Sequence, residues 1–112
     1  MNHSPHFSHQ TDLPLDKQIL NISVNMARLS EWIADSYVGR KAIVDIFINQ
    51  TEKYLVDLSD QNISEGFKPT LKRFQMEFGK LRIELENEKN KLYWAEKALT
   101  WANILQHRAK LA

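Results

Sequence analysis

From Lys68 to Leu111 apolar side chains recur at alternating steps of three and four. Leu71, Phe74, Phe78, Leu81 and Leu85 are followed by Leu92, Ala95, Leu99 and Ala102, and Glu88 fills the one polar position on the seam. That spacing puts all of them on one side of a helix and requires a second helix to cover them. Upstream, Leu15, Ile19, Ile22, Met26, Leu29 and Ile33 repeat the pattern. After an extra step of four it continues through Tyr37, Arg40, Val44, Phe47, Thr51, Tyr54 and Leu58. Two successive steps of four make a stutter, which unwinds a coiled coil locally without ending the helix. Gly39 stands beside it, and an interior glycine costs a helix about 1 kcal/mol against alanine.

The boundaries come from capping and turn chemistry. Asp12 can cap, Pro14 is tolerated in a first turn, and Asp16 suits the positive end of the helix dipole. Residues 59–67 are the one clear break, with Asn62 and Gly66 in the turn and Pro69 placed for the first turn of the next helix. The pattern therefore predicts an all-α chain. Its helices, over about 13–61 and 68–111, form a long antiparallel hairpin, each roughly 65 Å long at 1.5 Å per residue. Residues 12–112 form the single domain, and 1–11 are expected to be a disordered tail.

Folding the hairpin about Ser64 and Glu65 brings Met26 opposite Ala102, Phe47 opposite Leu81, and Arg40 opposite Glu88. Arg40 and Glu88 are the charged residues of the two seams. Their opposite signs at one height suggest a pair that fixes register at a cost in stability. The alternative is that both helices break, near 37–40 and near 88–91, and the chain folds back into a compact monomeric four-helix bundle. The absence of glycine and proline across 86–91, and the helix propensity of Glu and Lys there, favour the unbroken hairpin.

One hairpin seam does not use all the apolar surface. A second stripe, Trp94, Ala98, Trp101 and Leu105, runs along the last helix, and Trp32 and Tyr37 add aromatics in the same half of the hairpin. These six residues are the interface candidates. A lone hairpin has a thin core, so dimerisation into a four-helix bundle is the expected solution, with filling of the chain's own core as the competing fate of the tryptophans.

Composition narrows the function. Fifteen basic against fourteen acidic side chains leave a formal charge of +1, too balanced a field to draw in nucleic acid or anionic lipid. With no cysteine, disulfides and thiolate zinc sites are excluded. No apolar run approaches the roughly 20 residues that cross a bilayer or the core of a secretory signal, so a cytoplasmic location is expected. The sequons at Asn21, Asn49 and Asn62 then carry no weight.

Candidate chemistry is sparse. His3, His6 and His9, with the amino terminus, form a set suited to square-planar Cu(II) or Ni(II), read as incidental affinity of a flexible tail. His107, with Arg108 and Lys110, complements a helix C-terminus. The three glycines are scattered singly, so no phosphate-cradling loop exists. No catalytic residue, metal site or cofactor is expected. The reading is a non-enzymatic protein-interaction or regulatory module acting through helix faces as a homodimer, with another protein as further partner. The alternatives are a helical nucleic-acid-associated regulator, drawing on Lys68, Lys72, Arg73, Lys80 and Arg82, and a small secretion-type chaperone.

Overall fold

The computed structural model describes residues 11–35 and 40–112; Tyr37, Gly39 and the histidine-containing tail lie outside them. Four helices follow in order: α1 (Leu15–Ala34), α2 (Arg40–Ser59), α3 (Lys68–Glu84) and α4 (Lys91–Arg108). Short 3-10 turns, Glu88–Asn90 and Ala109–Leu111, precede and follow α4. No strand occurs among the described residues.

The all-α reading holds, but the continuous helices over 13–61 and 68–111 are replaced by shorter ones. α1 stops at Ala34, because Asp35 adopts an extended backbone (φ −79°, ψ 119°). The second break, over 85–90, is resolved in detail. Asn87 is extended and its side chain accepts the Lys89 N–H at 3.0 Å. The Glu84 carbonyl at the end of α3 accepts both the Asn87 N–H at 3.2 Å and Asn90 Nδ2 at 2.7 Å. Two asparagines with local hydrogen-bonding alternatives thus end a helix that the flanking Glu and Lys favour continuing.

The expected starts fare better. α3 begins at Lys68, with the Ser64 carbonyl accepting the Phe67 and Lys68 N–H groups, both at 3.1 Å. α1 begins at Leu15, where the Pro14 carbonyl rather than Asp12 meets the first free N–H groups.

Cross-helix hydrogen bonds define an antiparallel ring. Gln18 and Gln61 exchange amide bonds at 2.9 and 2.8 Å while Asn25 reaches Gln50 and Thr51, so α2 runs back along α1. Arg82 ties α3 to α2 through Asn49 (2.6 Å) and Glu52 (3.4 Å). Between α3 and α4 three rungs recur at heptad intervals: Arg108 to Thr70, Trp101 to Glu77, and Trp94 to Glu84. Between α4 and α1 the Ser23 hydroxyl donates to the Ala102 carbonyl (2.7 Å) and the Ser30 hydroxyl to that of Ala95 (2.6 Å). Each helix is antiparallel to the next, giving an up-down-up-down bundle.

α1 makes its broadest contact with α4. Ser23, Ser30, Ala95, Ala98 and Ala102 are small enough for the backbones to approach, whereas α3 holds its neighbours off with Phe74 and Phe78. The core runs from Ile19, Met26 and Leu29 of α1 through Ile48 and Leu58 to Phe74, Leu81, Trp94 and Leu105, all buried. Phe74 stacks tilted on both Phe78 and Trp101, with ring centroids 5.5 and 5.2 Å apart. Gly79 lies inside α3 without a positive φ, and no heavy atom stands within 4 Å of where its Cβ would be. An interior glycine of this kind costs about 1 kcal/mol against alanine, and nothing in the chain requires it.

Candidate functional site

Both helix breaks lie at the same end of the bundle, and between them opens a cleft of about 450 Å³. Its floor is apolar, built by Trp32 and Ile33 at the end of α1, Val44 and Ile48 in α2, and Leu85 after α3. Its rim carries Asp35, Arg40, Lys41, Asp45, Arg82, Glu86, Glu88 and Lys91. The Arg40 guanidinium sits 4.5 Å above the Trp32 ring and bonds Asp35 through Nε at 3.2 Å. This combined cation–π and ion-pair contact holds the half-buried indole flat against the wall. Opposite, Glu88 pairs with Lys91 at 3.6 Å.

Arg40 and Glu88 are therefore brought to one cleft, as their heights along the hairpin suggest, yet each forms an ion pair on its own side of it. The register of the C-terminal half is carried by groups that the apolar pattern does not single out. Thr70, Glu77 and Glu84 on α3 and Trp94, Trp101 and Arg108 on α4 follow heptad spacing, a signal present in the sequence but one that concerns polar atoms rather than the seam.

Four interface candidates are corrected by burial. Trp94, Ala98, Trp101 and Leu105 are 2%, 0%, 5% and 1% exposed, so they fill the chain's own core and offer no surface to a second molecule. The cause is a change of helical phase. The non-α segment over 85–90 rotates α4 relative to α3, sending the second stripe inward and turning the seam residues Leu92 and Leu99 out to 71% and 49% exposure. Trp32 is half-buried in the cleft, and Tyr37 lies outside the described residues.

A second polar cluster sits on the α3–α4 surface. Lys97 Nζ donates to the Tyr93 hydroxyl at 2.7 Å, pairs with Glu77 at 3.0 Å, and lies over both the Tyr93 and Trp94 rings. Burial alone would raise the Glu77 carboxyl. The hydrogen bonds from Trp101 and Lys97, with the charges of Lys97 and Arg73, outweigh it and hold the group below its ordinary value. The Lys97 ammonium is raised, by its bonds to Tyr93 and Glu77 against the opposing effect of burial. Both shifts deepen the charged states, which suits a clasp rather than proton transfer.

The cleft's rim carries four basic and four acidic side chains above an apolar floor, so no field of one sign gathers over it. Among the described residues no cluster of His, Asp or Glu is placed to hold a metal ion, and no helix is long and apolar enough to cross a membrane. No family model, curated protein or solved structure matches the chain.

Proposed function

We propose that this chain is a non-enzymatic protein-interaction module, a four-helix bundle that self-associates and offers its outer helix faces to another protein. The observation that carries the reading is the set of large apolar side chains left outside a closed core. Ile83 is 72% exposed, Leu92 71%, Val56 66% and Met76 62%. Exposed apolar groups gathered on helix faces favour association. The polar groups between the helices support the same reading, because Glu77, Glu84, Ser23 and Ser30 are engaged in holding helices together.

The test has two parts. Light scattering across a concentration series reads self-association, with a mass rising towards twice 13.1 kDa expected. Affinity capture with quantitative mass spectrometry then compares the wild type with a Leu92→Glu, Leu99→Glu variant of unchanged thermal stability. A prey enriched by the wild type and lost by the variant supports the module. A strictly monomeric chain whose prey set ignores the outer faces overturns it.

A helical nucleic-acid-associated regulator is the second reading, favoured by exposed Lys72, Arg73 and Lys80 on α3. Weighing against it, Lys68 and Arg82 are engaged with acidic neighbours. Oligonucleotide binding that strengthens as salt is lowered would support it.

A further inference from the structure

We propose that two copies of this chain pack α3 against α3, antiparallel, about a two-fold axis passing beside Gly79. The inference rests on the self-association proposed above and assigns it a face.

The first ground is the glycine itself. Its backbone conformation needs no glycine, its side-chain position is open, and it is flanked along the outer face by Met76 and Ile83, both largely exposed. Within the chain the lost helix propensity returns nothing. What a missing Cβ permits is the close approach of another backbone. The antiparallel register set by Arg82 against Asn49 and Glu52 also places Val56, one turn along α2 from Glu52, on the flank of this segment. The apolar patch therefore spans two helices.

The second ground is charge, and it identifies the occupant as a second copy. Lys72 stands seven residues before Gly79 and Glu86 seven after. Both are exposed, and among the described residues neither takes part in an ion pair. Leu85 keeps a right-handed backbone (φ −70°, ψ −13°) and the Glu86 N–H reaches the Ile83 carbonyl at 3.3 Å, so the chain runs on past the end of α3 in a tighter turn to Glu86. A two-fold axis at Gly79 sets Lys72 against the partner's Glu86, and Glu86 against the partner's Lys72. It also sets Met76 against the partner's Ile83. A face that is apolar in the middle and oppositely charged at its two ends is complementary to itself only when antiparallel, which is the isologous geometry of a two-fold dimer. Lys80 lies on the flank of the stripe away from Gly79, where its long stem can carry the ammonium to water.

The experiment is sedimentation equilibrium up to millimolar chain concentration, with circular dichroism to verify that each variant is folded. The wild type is expected to dimerise. Gly79→Leu and the double variant Met76→Glu, Ile83→Glu are expected to weaken the dimer at least tenfold. Lys72→Glu alone is expected to weaken it through repulsion with the partner's Glu86, and Lys72→Glu combined with Glu86→Lys to restore it. That rescue would not follow from any role of these residues within one chain. A dimer untouched by all these variants overturns the α3 face and leaves self-association standing. A wild type that stays monomeric at every concentration overturns both.

Discussion

Trp94 donates its indole N–H to Glu84 Oε1 at 2.7 Å, across the turn that separates α3 from α4. The indole is 2% exposed and belongs to the core, while its single polar atom reaches the last residue of the preceding helix. One side chain thus fills the bundle and fixes the geometry of the reversal that makes the bundle possible. Trp94→Phe keeps most of the apolar volume but leaves the carboxylate without its donor, and is expected to cost about 1–3 kcal/mol. Trp94→Ala also opens a cavity and is expected to cost about 3–5 kcal/mol. Urea denaturation of both variants checks the order, and a Trp94→Phe variant as stable as wild type would contradict a role for the hydrogen bond.

The reversal depends equally on Asn87 and Asn90. Replacing both by alanine removes the cap on Lys89 and the bond to the Glu84 carbonyl, with an expected loss of about 1–2 kcal/mol. Because alanine favours helix, the same variant biases residues 85–90 towards one continuous helix. The expected consequence is domain-swapped dimers in which α4 packs on the α1 of another chain. Small-angle scattering reads this directly: swapping gives a longer particle, and a particle indistinguishable from the wild type's would count against it.

Acid stability should report on Glu77. Its carboxyl is held below the ordinary value of 4.5 in the folded chain. Its contribution is therefore fully present above that value and is lost as pH falls through the lowered folded value. Glu77→Gln is expected to lower stability at neutral pH by about 1 kcal/mol and to flatten the decline below about pH 4.5 relative to wild type. Lys97 acts at the other end. Its raised ammonium contributes below the ordinary 10.5, and that contribution disappears as pH rises through the folded value. Thermal unfolding across a pH series separates the two limbs.

The close contact of α1 with α4 should be intolerant of bulk. Ala98 is 0% exposed, between the backbone contacts made by Ser30 and Ser23. Ala98→Leu is expected to cost about 1–3 kcal/mol through overpacking, whereas Ala42→Leu, at an exposed position of α2, should be near neutral. A tolerated Ala98→Leu would mean that the helices can separate freely.

The sequence is legible where one principle acts alone. Ile19, Ile22, Met26, Leu29 and Ile33 are buried as the heptad pattern of α1 requires, and the loop between α2 and α3 falls where Asn62, Gly66 and Pro69 put it. Legibility fails at 85–90, where two principles compete. Glu and Lys argue for continuation, while Asn87 and Asn90 offer local hydrogen bonds and the reversal lets Trp94 bury its ring and bond Glu84. Once that turn is misplaced, the phase of α4 is misplaced with it, so Leu92 and Leu99 read as core, and Trp101 reads as an interface candidate with the core as its competing fate. Arg40 and Glu88 both line the cleft, but pairwise reasoning along a hairpin does not foresee that each meets a nearer neighbour, Asp35 and Lys91.

The partnership of α1 with α4 also sets a timetable for biosynthesis. The ribosome must travel from Ile33 to about Leu105 before the helix that covers most of α1 exists. At about 5–20 residues per second this takes roughly 4–14 s. Throughout that interval Ile19, Ile22, Met26 and Leu29 have only α2, and later α3, to shelter them. The nascent chain carries that apolar face largely uncovered in the meantime, and its yield in a cell should depend on whatever holds the first helix until the fourth arrives.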